Sequence, residues 1–404
     1  MVQTADAVVV GGGVIGASTA FHLASLGLKR VVVCERRWPA AGASGKSGAL
    51  VRMHYTNEPE ARLARASLPY FHDWDERVGA GACGFLQTGM VRIVSPENVA
   101  NLRANVEMLE RVGVDTQIVG PRELRELAPD WRVDDVTAAA YEPTSGCADP
   151  VGTTYGFLTR AEQLGAELRP RTEVTAIRMD GARVGGVETA TGAISAPIVV
   201  VAGGAWGIPL LRSVGVDVDL QPVRIQVSLF RRPSALAPIH PICIDGINDM
   251  WLRPEGPNWA STLVGFSQRE PLADPDTLDE GVDADYVPQA RERLARRIPG
   301  TADAPMRGGW AGAITATVDG KPVLDQHPEA AGLFFFVGDN GSSFKTAPAI
   351  GRALAEWAIQ GQPEVVDTRP FRASRFAEGD LLIGPHEYND RDYDAGRARK
   401  LMVG

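Results

Sequence analysis

The sequence predicts an α/β fold in which a parallel sheet with a glycine-rich turn is combined with a second unit built on an antiparallel sheet. Ala7–Val10 is a short apolar run before a glycine-rich turn, which is typical of a strand buried on both faces of a parallel sheet. A helical segment follows, and a second apolar run covers Val31–Cys34. Between residues 221 and 315, the segments QPVRIQVSLF and STLVGFS alternate as antiparallel strands do.

Length and composition favour a globular protein with a small-molecule partner. The chain has 404 residues, of which 44% are hydrophobic and 23% are charged, so fibrous and disordered classes are excluded. Its net charge is −9, whereas nucleic acid or an acidic membrane surface would need a basic face. We therefore expect neither as a partner.

The spacing of the cysteines and the absence of long apolar runs indicate the cellular compartment that we expect for the protein. No CxxC pair occurs, so neither a zinc site nor a disulfide framework is predicted, and no other metal site is evident. No signal-peptide pattern precedes the first strand, and no run approaches the about 20 apolar residues of a membrane span. A cytoplasmic protein with buried thiols is expected, the thiols being Cys34, Cys83, Cys147 and Cys243.

The first glycine-rich turn is a candidate phosphate cradle. Gly11, Gly13 and Gly16 fit GxGxxG, in which the first glycine permits a tight turn, the second lets a pyrophosphate approach, and the third lets helix and strand pack closely. Glu35 lies nineteen residues after Gly16, at the end of the second strand, where a carboxylate can accept hydrogen bonds from a ribose. The pattern predicts a bound dinucleotide and leaves NAD and FAD open.

The stretch after Glu35 favours FAD, and a second glycine-rich stretch lies near the other end of the chain. After Glu35 the chain continues as AAGASGKSGALVRMHY, where an NAD domain would usually enter another helix, and such small-residue loops let backbone approach a flat ring or phosphates. Near the other end, Leu333–Val337 is a predicted strand, and residues 347–360 form a predicted helix after the loop GDNGSS. The free N–H groups at that helix start carry partial positive charge.

Other segments have local interpretations. Asp149 is a candidate N-cap for a helix that ends near Leu164. The segments EPEARLARASLPYFHDW and NVANLRANVEMLERVG have the pattern of amphipathic helices. The segment PLADPDTLDEGVDADYV is an acidic, proline-broken loop, either solvated or acting as a lid.

Five separated segments together resemble the D-amino-acid-oxidase superfamily of FAD enzymes, and most closely its sarcosine oxidase and dimethylglycine dehydrogenase branch. They are GGGVIG with Glu35, GASGKSGALVRMHY, SGCADPVGTTYGFLTRAEQLGAEL, IVVVAGGAW, and TVDGKPVLD leading into FVGDNGSSFKTAPAIG. The resemblance implies a Rossmann-type FAD-binding domain with a parallel sheet plus an interleaved substrate domain on an antiparallel sheet. The implied ranges are 1–85, 142–220 and 316–378 for the FAD-binding domain, 86–141 and 221–315 for the substrate domain, and 379–404 for a C-terminal extension.

The resemblance also assigns cofactor contacts. The backbone of Val174 would hold the adenine, and the start of the last helix would face the flavin. Relatives with covalent flavin use a cysteine or a histidine that WAGAITATVDG and GASGKSGA lack, so non-covalent FAD is expected. The assigned residues are Gly11, Gly13, Val14, Ile15, Gly16, Glu35, Arg36, Ala43, Ser44, Lys46, Ser47, Gly48, Ala49, Leu50, Val174, Ala202, Gly203, Trp206, Gly338, Gly341, Ser342, Ser343, Phe344 and Lys345.

For the substrate, the resemblance implies a carboxylate held by Arg52 and Lys345. An arginine fork and a lysine point charge suit an amino acid or an N-alkyl amino acid, although each could instead pair internally. Trp251 and His240 are candidates to line the pocket, with core or surface positions as the alternative. Ile314 stands where amino-acid oxidases of the superfamily carry an arginine. The implied reaction is hydride transfer from the C–N carbon to flavin N5, giving an imine that hydrolyses.

The electron acceptor and two rival functions stay open. Relatives place a lysine near flavin N5 to promote reaction with oxygen; no lysine occurs between Lys46 and Lys321, so the acceptor is O2 or another carrier. One rival is oxidation of a 2-hydroxy acid, with His54 or His240 as base. Another is a flavin-binding subunit of a hetero-oligomer, and a homo-oligomer is also compatible with the sequence. An NAD(P)H-dependent monooxygenase is disfavoured because VAGGAWG is no second nucleotide fingerprint.

Overall fold

The computed structural model describes residues 3–388, and a six-stranded sheet, here called the nucleotide sheet, lies at its centre. Its strands are all parallel except Val323–Gln326, which runs antiparallel to its neighbour. Ala7–Val10 and its neighbours are buried along their whole length, as their apolar sequences predict. The order across the sheet is Val323–Gln326, Leu333–Val337, Val199–Val201, Ala7–Val10, Val31–Cys34 and Glu167–Arg169.

The two faces of the nucleotide sheet are covered differently. On one face, the helix Val14–Ser25 packs between Pro150–Gln163 and Ala347–Gln360, and a Cβ at Gly351 would lie within 2.6 Å of the Ser18 backbone. Only glycine permits that helix contact. On the other face, valines of the nucleotide sheet share a core with a small four-stranded sheet. Its order is Gln3–Thr4, Gly192–Ser195, Arg183–Thr189 and Val174–Asp180.

A nine-stranded sheet, here called the pocket sheet, forms the second unit. It is antiparallel, as predicted, except for the neighbouring strands Ile242–Asp245 and Met90–Ile93, which run parallel to each other. The two strands belong to separate chain segments, so no hairpin forces them to be antiparallel. The strand Met306–Thr317 pairs with Leu220–Arg231, and Leu50–Val51 and Gly146–Cys147 form a separate two-stranded sheet. The order of the other strands across the pocket sheet is Glu270–Pro271, Leu220–Arg231, Ser261–Phe266, Met250–Glu255, Ile242–Asp245, Met90–Ile93, Ala139–Glu142 and Gln117–Val119.

Some of the helices begin or end at capping residues that the sequence shows. The Asp149 carboxylate accepts a hydrogen bond from the Val151 N–H (2.9 Å), as predicted, and the Asn57 side chain accepts one from Glu60 N–H (3.0 Å). Gly361 ends the last long helix with a φ of 84°. The helices are Val14–Ser25, Glu58–His72, Trp74–Arg77, Val99–Arg111, Pro121–Leu127, Pro150–Gln163, Ile208–Ser213, Tyr286–Arg297, Ala347–Gln360 and Arg375–Glu378.

The predicted fold class is confirmed by this architecture. The pocket sheet takes its strands from residues 90–142 and 220–317, and the predicted domain limits remain a prediction beside those strand ends. Of the predicted extension, residues 379–388 are described and residues 389–404 lie outside the described residues. Across the described part of the chain, no helix combines the length and the apolar character needed to cross a membrane.

Candidate functional site

One long cavity lies between the carboxyl ends of the nucleotide sheet and the inner face of the pocket sheet, where ligands of open α/β sheets bind. It extends from the first glycine turn to the loop before the last long helix. Most predicted site residues line it: Gly11, Gly13, Val14, Ile15, Glu35, Arg36, Ala43, Ser44, Lys46, Ser47, Gly48, Ala49, Leu50, Arg52, Val174, Ala202, Gly203, Trp206, Trp251, Gly341, Ser342, Ser343, Phe344 and Lys345.

Two predicted glycines lie behind the cavity wall. A Cβ at Gly16 would collide with the carbonyl oxygen of Gly11, so Gly16 permits the close packing of turn and helix. Gly338 has a φ of 70°, and a Cβ there would collide with the methyl group of Thr317. Both glycines shape the backbone that forms the cavity and do not line it.

The two predicted histidines are also absent from the cavity lining, and this corrects the expectation for both. His240 is buried in the pocket-sheet core, where its ring nitrogens bond the Pro241 carbonyl oxygen (2.8 Å) and Thr262 Oγ1 (2.9 Å). Burial lowers the pKa of His240 to about 3. His54 is buried with its Nε2 at 2.7 Å from the Tyr388 hydroxyl. Residue type alone had suggested a base, but the fold uses both rings internally.

At the nucleotide end, Glu35 is fixed beside the glycine turn. Its Oε2 accepts a hydrogen bond from Gly12 N–H and its Oε1 accepts one from Arg37 N–H, both at 2.7 Å. A Cβ at Gly11 would lie 2.5 Å from the Ala202 carbonyl oxygen, and Gly11 has a φ of 108°. Glycine is therefore required where the turn approaches the neighbouring strand end, and the Glu35 carboxylate stays at the cavity edge with further lone pairs for a ribose.

The acidic loop predicted from sequence contacts the same end of the cavity. Asp276 pairs with Arg36 (2.9 Å) and accepts a hydrogen bond from Trp206 Nε1 (2.7 Å). Glu280 pairs with Lys46 (3.0 Å), another lining residue. The loop is therefore fastened over the cavity rim, as a lid would be.

Trp251 reaches across the cavity from the pocket sheet. Its cross-strand partner is Gly265, where a Cβ would lie 2.6 Å from Cζ2 of the indole. A Cβ at Gly48, in the small-residue loop, would lie 2.7 Å from Cζ3 of the same ring. The indole therefore occupies space that two glycines leave open, and it connects the pocket sheet with the small-residue loop.

Arg52 and Lys345 come together at the other end of the cavity, although 293 positions separate them in sequence. The Arg52 guanidinium lies 4.7 Å from the ring centre of Tyr55, and Lys345 Nζ lies 5.2 Å from it. Lys345 Nζ donates to the Ser342 carbonyl oxygen (2.6 Å), and Arg52 Nη1 donates to the His54 carbonyl oxygen. Two buried cations of the cavity lining thus share the ring of Tyr55, which does not itself line the cavity. Tyr55 follows Arg52 by three residues, and no motif in the sequence marks it as a site residue.

A buried carboxyl group, Glu142, supports the same region. Its Oε2 accepts hydrogen bonds from Met53 N–H (2.9 Å) and Ser145 Oγ (2.6 Å). Burial raises its pKa, and the nearby charges of Arg52 and Lys345 act in the opposite direction. Its only sequence signal is a carboxylate at the end of the apolar run AAAYE, which a strand pattern alone does not mark as functional.

FAD fits the residues present. The glycine turn and Glu35 provide the arrangement that binds the adenosine diphosphate part of a dinucleotide, and Val174 lies at that end of the lining. The small-residue loop and residues 341–345, which lie just before the positively polarised N-terminus of the helix Ala347–Gln360, border the other end. The cavity connects both ends without a break, as an extended dinucleotide requires.

Comparisons with known proteins agree with this geometry. The sequence model of the FAD dependent oxidoreductase (DAO) family matches residues 6–357. The chain is 28% identical to mitochondrial sarcosine dehydrogenase of Homo sapiens, over 97% of this chain and 44% of that protein. It is also 28% identical to glycine oxidase of Geobacillus kaustophilus, over 93% of this chain and 98% of that protein.

Among solved structures, L-proline dehydrogenase from P. horikoshii superposes with a TM-score of 0.87 at 25% identity, over 94% of this chain and 100% of that chain. The chain spans less than half the length of the mitochondrial sarcosine dehydrogenases that it matches. The resemblance found in the sequence is confirmed. The family match over 352 residues and the dinucleotide cavity show that the chain belongs to the family of FAD-dependent oxidoreductases, with FAD as its cofactor.

Proposed function

We propose that the protein oxidises the C–N bond of an amino acid or of an N-alkyl amino acid to an imine, which water hydrolyses to a carbonyl compound and an amine. The observation that carries the proposal is the pair of buried cations, Arg52 and Lys345, on the Tyr55 ring at one end of the cavity. A substrate carboxylate is the anion that such a pair binds. Relatives named for sarcosine, glycine and L-proline support the substrate class.

The chain's own residues bind and orient the substrate in this scheme. FAD, when bound, supplies the hydride acceptor at flavin N5. Arg52 still has donors beyond the one given to His54, so it can hold a carboxylate through two of them, and Lys345 adds a second charge. Trp251 covers the cavity from the pocket sheet and excludes water.

Proton transfer needs no dedicated base if the amine binds in its neutral form. The lining includes no histidine among the described residues, which disfavours oxidation of a 2-hydroxy acid, a reaction that needs a base at the hydroxyl. The positive charges of Arg52 and Lys345 lower the pKa of a nearby ammonium group and so favour the neutral amine. The site thus serves both binding and deprotonation.

The test is an anaerobic screen of N-methyl and other amino acids for bleaching of the flavin absorbance. The purified chain is expected to bleach with at least one member of this class, and 2-hydroxy acids are expected to leave the absorbance unchanged. Bleaching by the purified chain alone would exclude the alternative of an inactive flavin-binding subunit. Bleaching by 2-hydroxy acids only would overturn the proposal.

Two further properties follow from the same preparation. Mixing the reduced enzyme with O2 and, separately, with an artificial electron acceptor measures which of the two reoxidises the flavin faster. Because the chain lacks the lysine that relatives place near flavin N5, we expect faster reoxidation by the artificial acceptor. Acid precipitation should release the FAD into the supernatant, because no cysteine or histidine stands at the positions that tether flavin in relatives. Flavin that stays in the pellet would show a covalent bond.

A further inference from the structure

The segment that carries Arg52 has no regular structure of its own to hold it. The short strand Leu50–Val51 ends just before Arg52, and the next helix begins at Glu58. Residues 52–57 are nevertheless buried. Tertiary contacts must therefore fix the conformation of this segment, here called the arginine segment, because an unfixed loop would lose entropy on each binding event.

One side of the arginine segment is held by the pocket sheet. Glu142, the last residue of its strand, accepts the Met53 N–H. This contact fixes the backbone next to Arg52 and leaves His54–Asn57 to other partners.

The other side is held by the C-terminal tail, residues 384–388. Thr56 Oγ1 donates to Glu387 Oε1 (2.8 Å), and the same carboxylate oxygen accepts the Gly384 N–H (2.9 Å). A Cβ at Gly384 would lie 2.6 Å from the Thr56 carbonyl carbon, so the tail approaches the arginine segment as closely as glycine allows. The helix Val99–Arg111 fastens the tail from behind, since Asn101 and Asn105 each donate to its backbone at 2.8 Å.

Tyr388 completes the contact beside Arg52. Its hydroxyl shares a hydrogen bond of 2.7 Å with His54 Nε2, and the two rings are stacked with centroids 6.0 Å apart. The Arg92 guanidinium lies 4.6 Å from the centre of the Tyr388 ring. His54 is the residue whose carbonyl oxygen accepts from Arg52 Nη1. The position of His54 thus connects Tyr388 to the guanidinium.

We propose that Glu387 and Tyr388 are positioning residues for the substrate-binding arginine: the C-terminal tail fixes the arginine segment so that Arg52 is oriented for a carboxylate before substrate arrives. The inference rests on the proposed function of Arg52. It extends the site to a part of the chain that lies 336 positions away in sequence. Preorganisation of this kind contributes affinity by removing the ordering cost from binding.

The test uses the FAD-loaded full chain and titrates acetate, with acetamide as its neutral analogue, while perturbation of the flavin absorbance is followed. Tyr388→Phe keeps the ring over Arg92 and removes only the hydroxyl, and Glu387→Gln removes the charge. Each variant should weaken acetate binding about fivefold and leave acetamide binding unchanged. Tyr388→Phe loses one part-buried hydrogen bond, and Glu387→Gln turns two charge-assisted hydrogen bonds into weaker neutral ones. The exposed Tyr155 provides the matched control, and Tyr155→Phe should bind both probes as the wild type does.

The three variants distinguish a failure of this proposal from a failure of the proposed function. If Arg52→Ala loses the preference for acetate while Tyr388→Phe and Glu387→Gln keep wild-type affinities, the positioning role is overturned and the function stands. If Arg52→Ala binds acetate as the wild type does, the carboxylate role of Arg52 fails and the inference fails with it. Equal losses for acetate and acetamide, together with a lower Tm, would show a merely structural tail and would also overturn the proposal.

Discussion

Substitution of Gly48 tests whether Trp251 and the small-residue loop form the flavin end of the cavity. In Gly48→Ala, the new Cβ would lie 2.7 Å from Cζ3 and 2.9 Å from Cζ2 of the indole. Carbon atoms pack at about 3.5 Å or more, and Cη2 of the indole lies closer still to the new Cβ, so the ring or the loop must shift by more than about 0.8 Å. The ring cannot lean further over its own strand partner, because Gly265 is already in contact with it.

The shift therefore moves the indole or the loop into the space of the cofactor. Overpacking of this size costs about 2 kcal/mol, which corresponds to about 30-fold weaker FAD binding. The assay is titration of the apoprotein with FAD, followed by the quenching of flavin fluorescence. Gly185→Ala is the matched control, because a Cβ at Gly185 would have only ordinary contacts from 3.5 Å outwards.

A double-mutant cycle tests whether the contact with Trp251 causes the effect of Gly48→Ala. In a Trp251→Ala background the indole is gone, so Gly48→Ala should then change FAD affinity much less than it does in the wild type. Wild-type affinity in Gly48→Ala, or an equal loss in both backgrounds, would refute the placement of Trp251 against Gly48.

Two further predictions concern stability. Burial lowers the pKa of His22 and His240 from 6.5 to about 3. Below pH 6.5 the unfolded chain therefore binds more protons than the native protein does. The free energy of unfolding should fall by about 2 kcal/mol per histidine when the pH is lowered from 6.5 to 5. Urea unfolding at the two pH values measures this fall in stability. The variant His240→Gln should show about half of the fall seen in the wild type, and a fall of wild-type size would contradict the prediction. Lys321 and Glu60 form a buried ion pair at 3.0 Å, so Lys321→Met should lower the free energy of unfolding in urea by about 3 kcal/mol. The control Arg62→Ala breaks the exposed pair with Glu58 and should lower it by less than about 1 kcal/mol. Equal losses would refute the difference between the buried and the exposed pair.

Features that the sequence predicted correctly are local. The glycine turn, Glu35 and the strands that flank them lie within 30 residues, and their spacing reflects backbone geometry that any βαβ unit must satisfy. Asp149 and the last long helix were predictable for the same reason, since a cap and an apolar stripe are properties of a single segment.

Features that the sequence did not reveal depend on distant contacts. Tyr55 gains its role only because Lys345 folds onto the same ring, and Glu142 is notable only once Arg52 lies nearby. His240 was chosen by residue type, which carries no information on burial, and the structure places it in the core. The parallel pair in the pocket sheet likewise depends on how two separate segments meet.

Selection of a substrate by its carboxylate is the role that we propose for Arg52 and Lys345. It is tested most directly by the anaerobic rate of flavin reduction with an N-methyl amino acid and with the corresponding amine that lacks the carboxylate, measured in the wild type and in the Arg52→Ala, Lys345→Ala double variant. Loss of two buried charge-assisted contacts should lower the preference for the amino acid by at least about 100-fold. Reduction by dithionite should be the same in both proteins. An unchanged preference in the double variant would contradict the account.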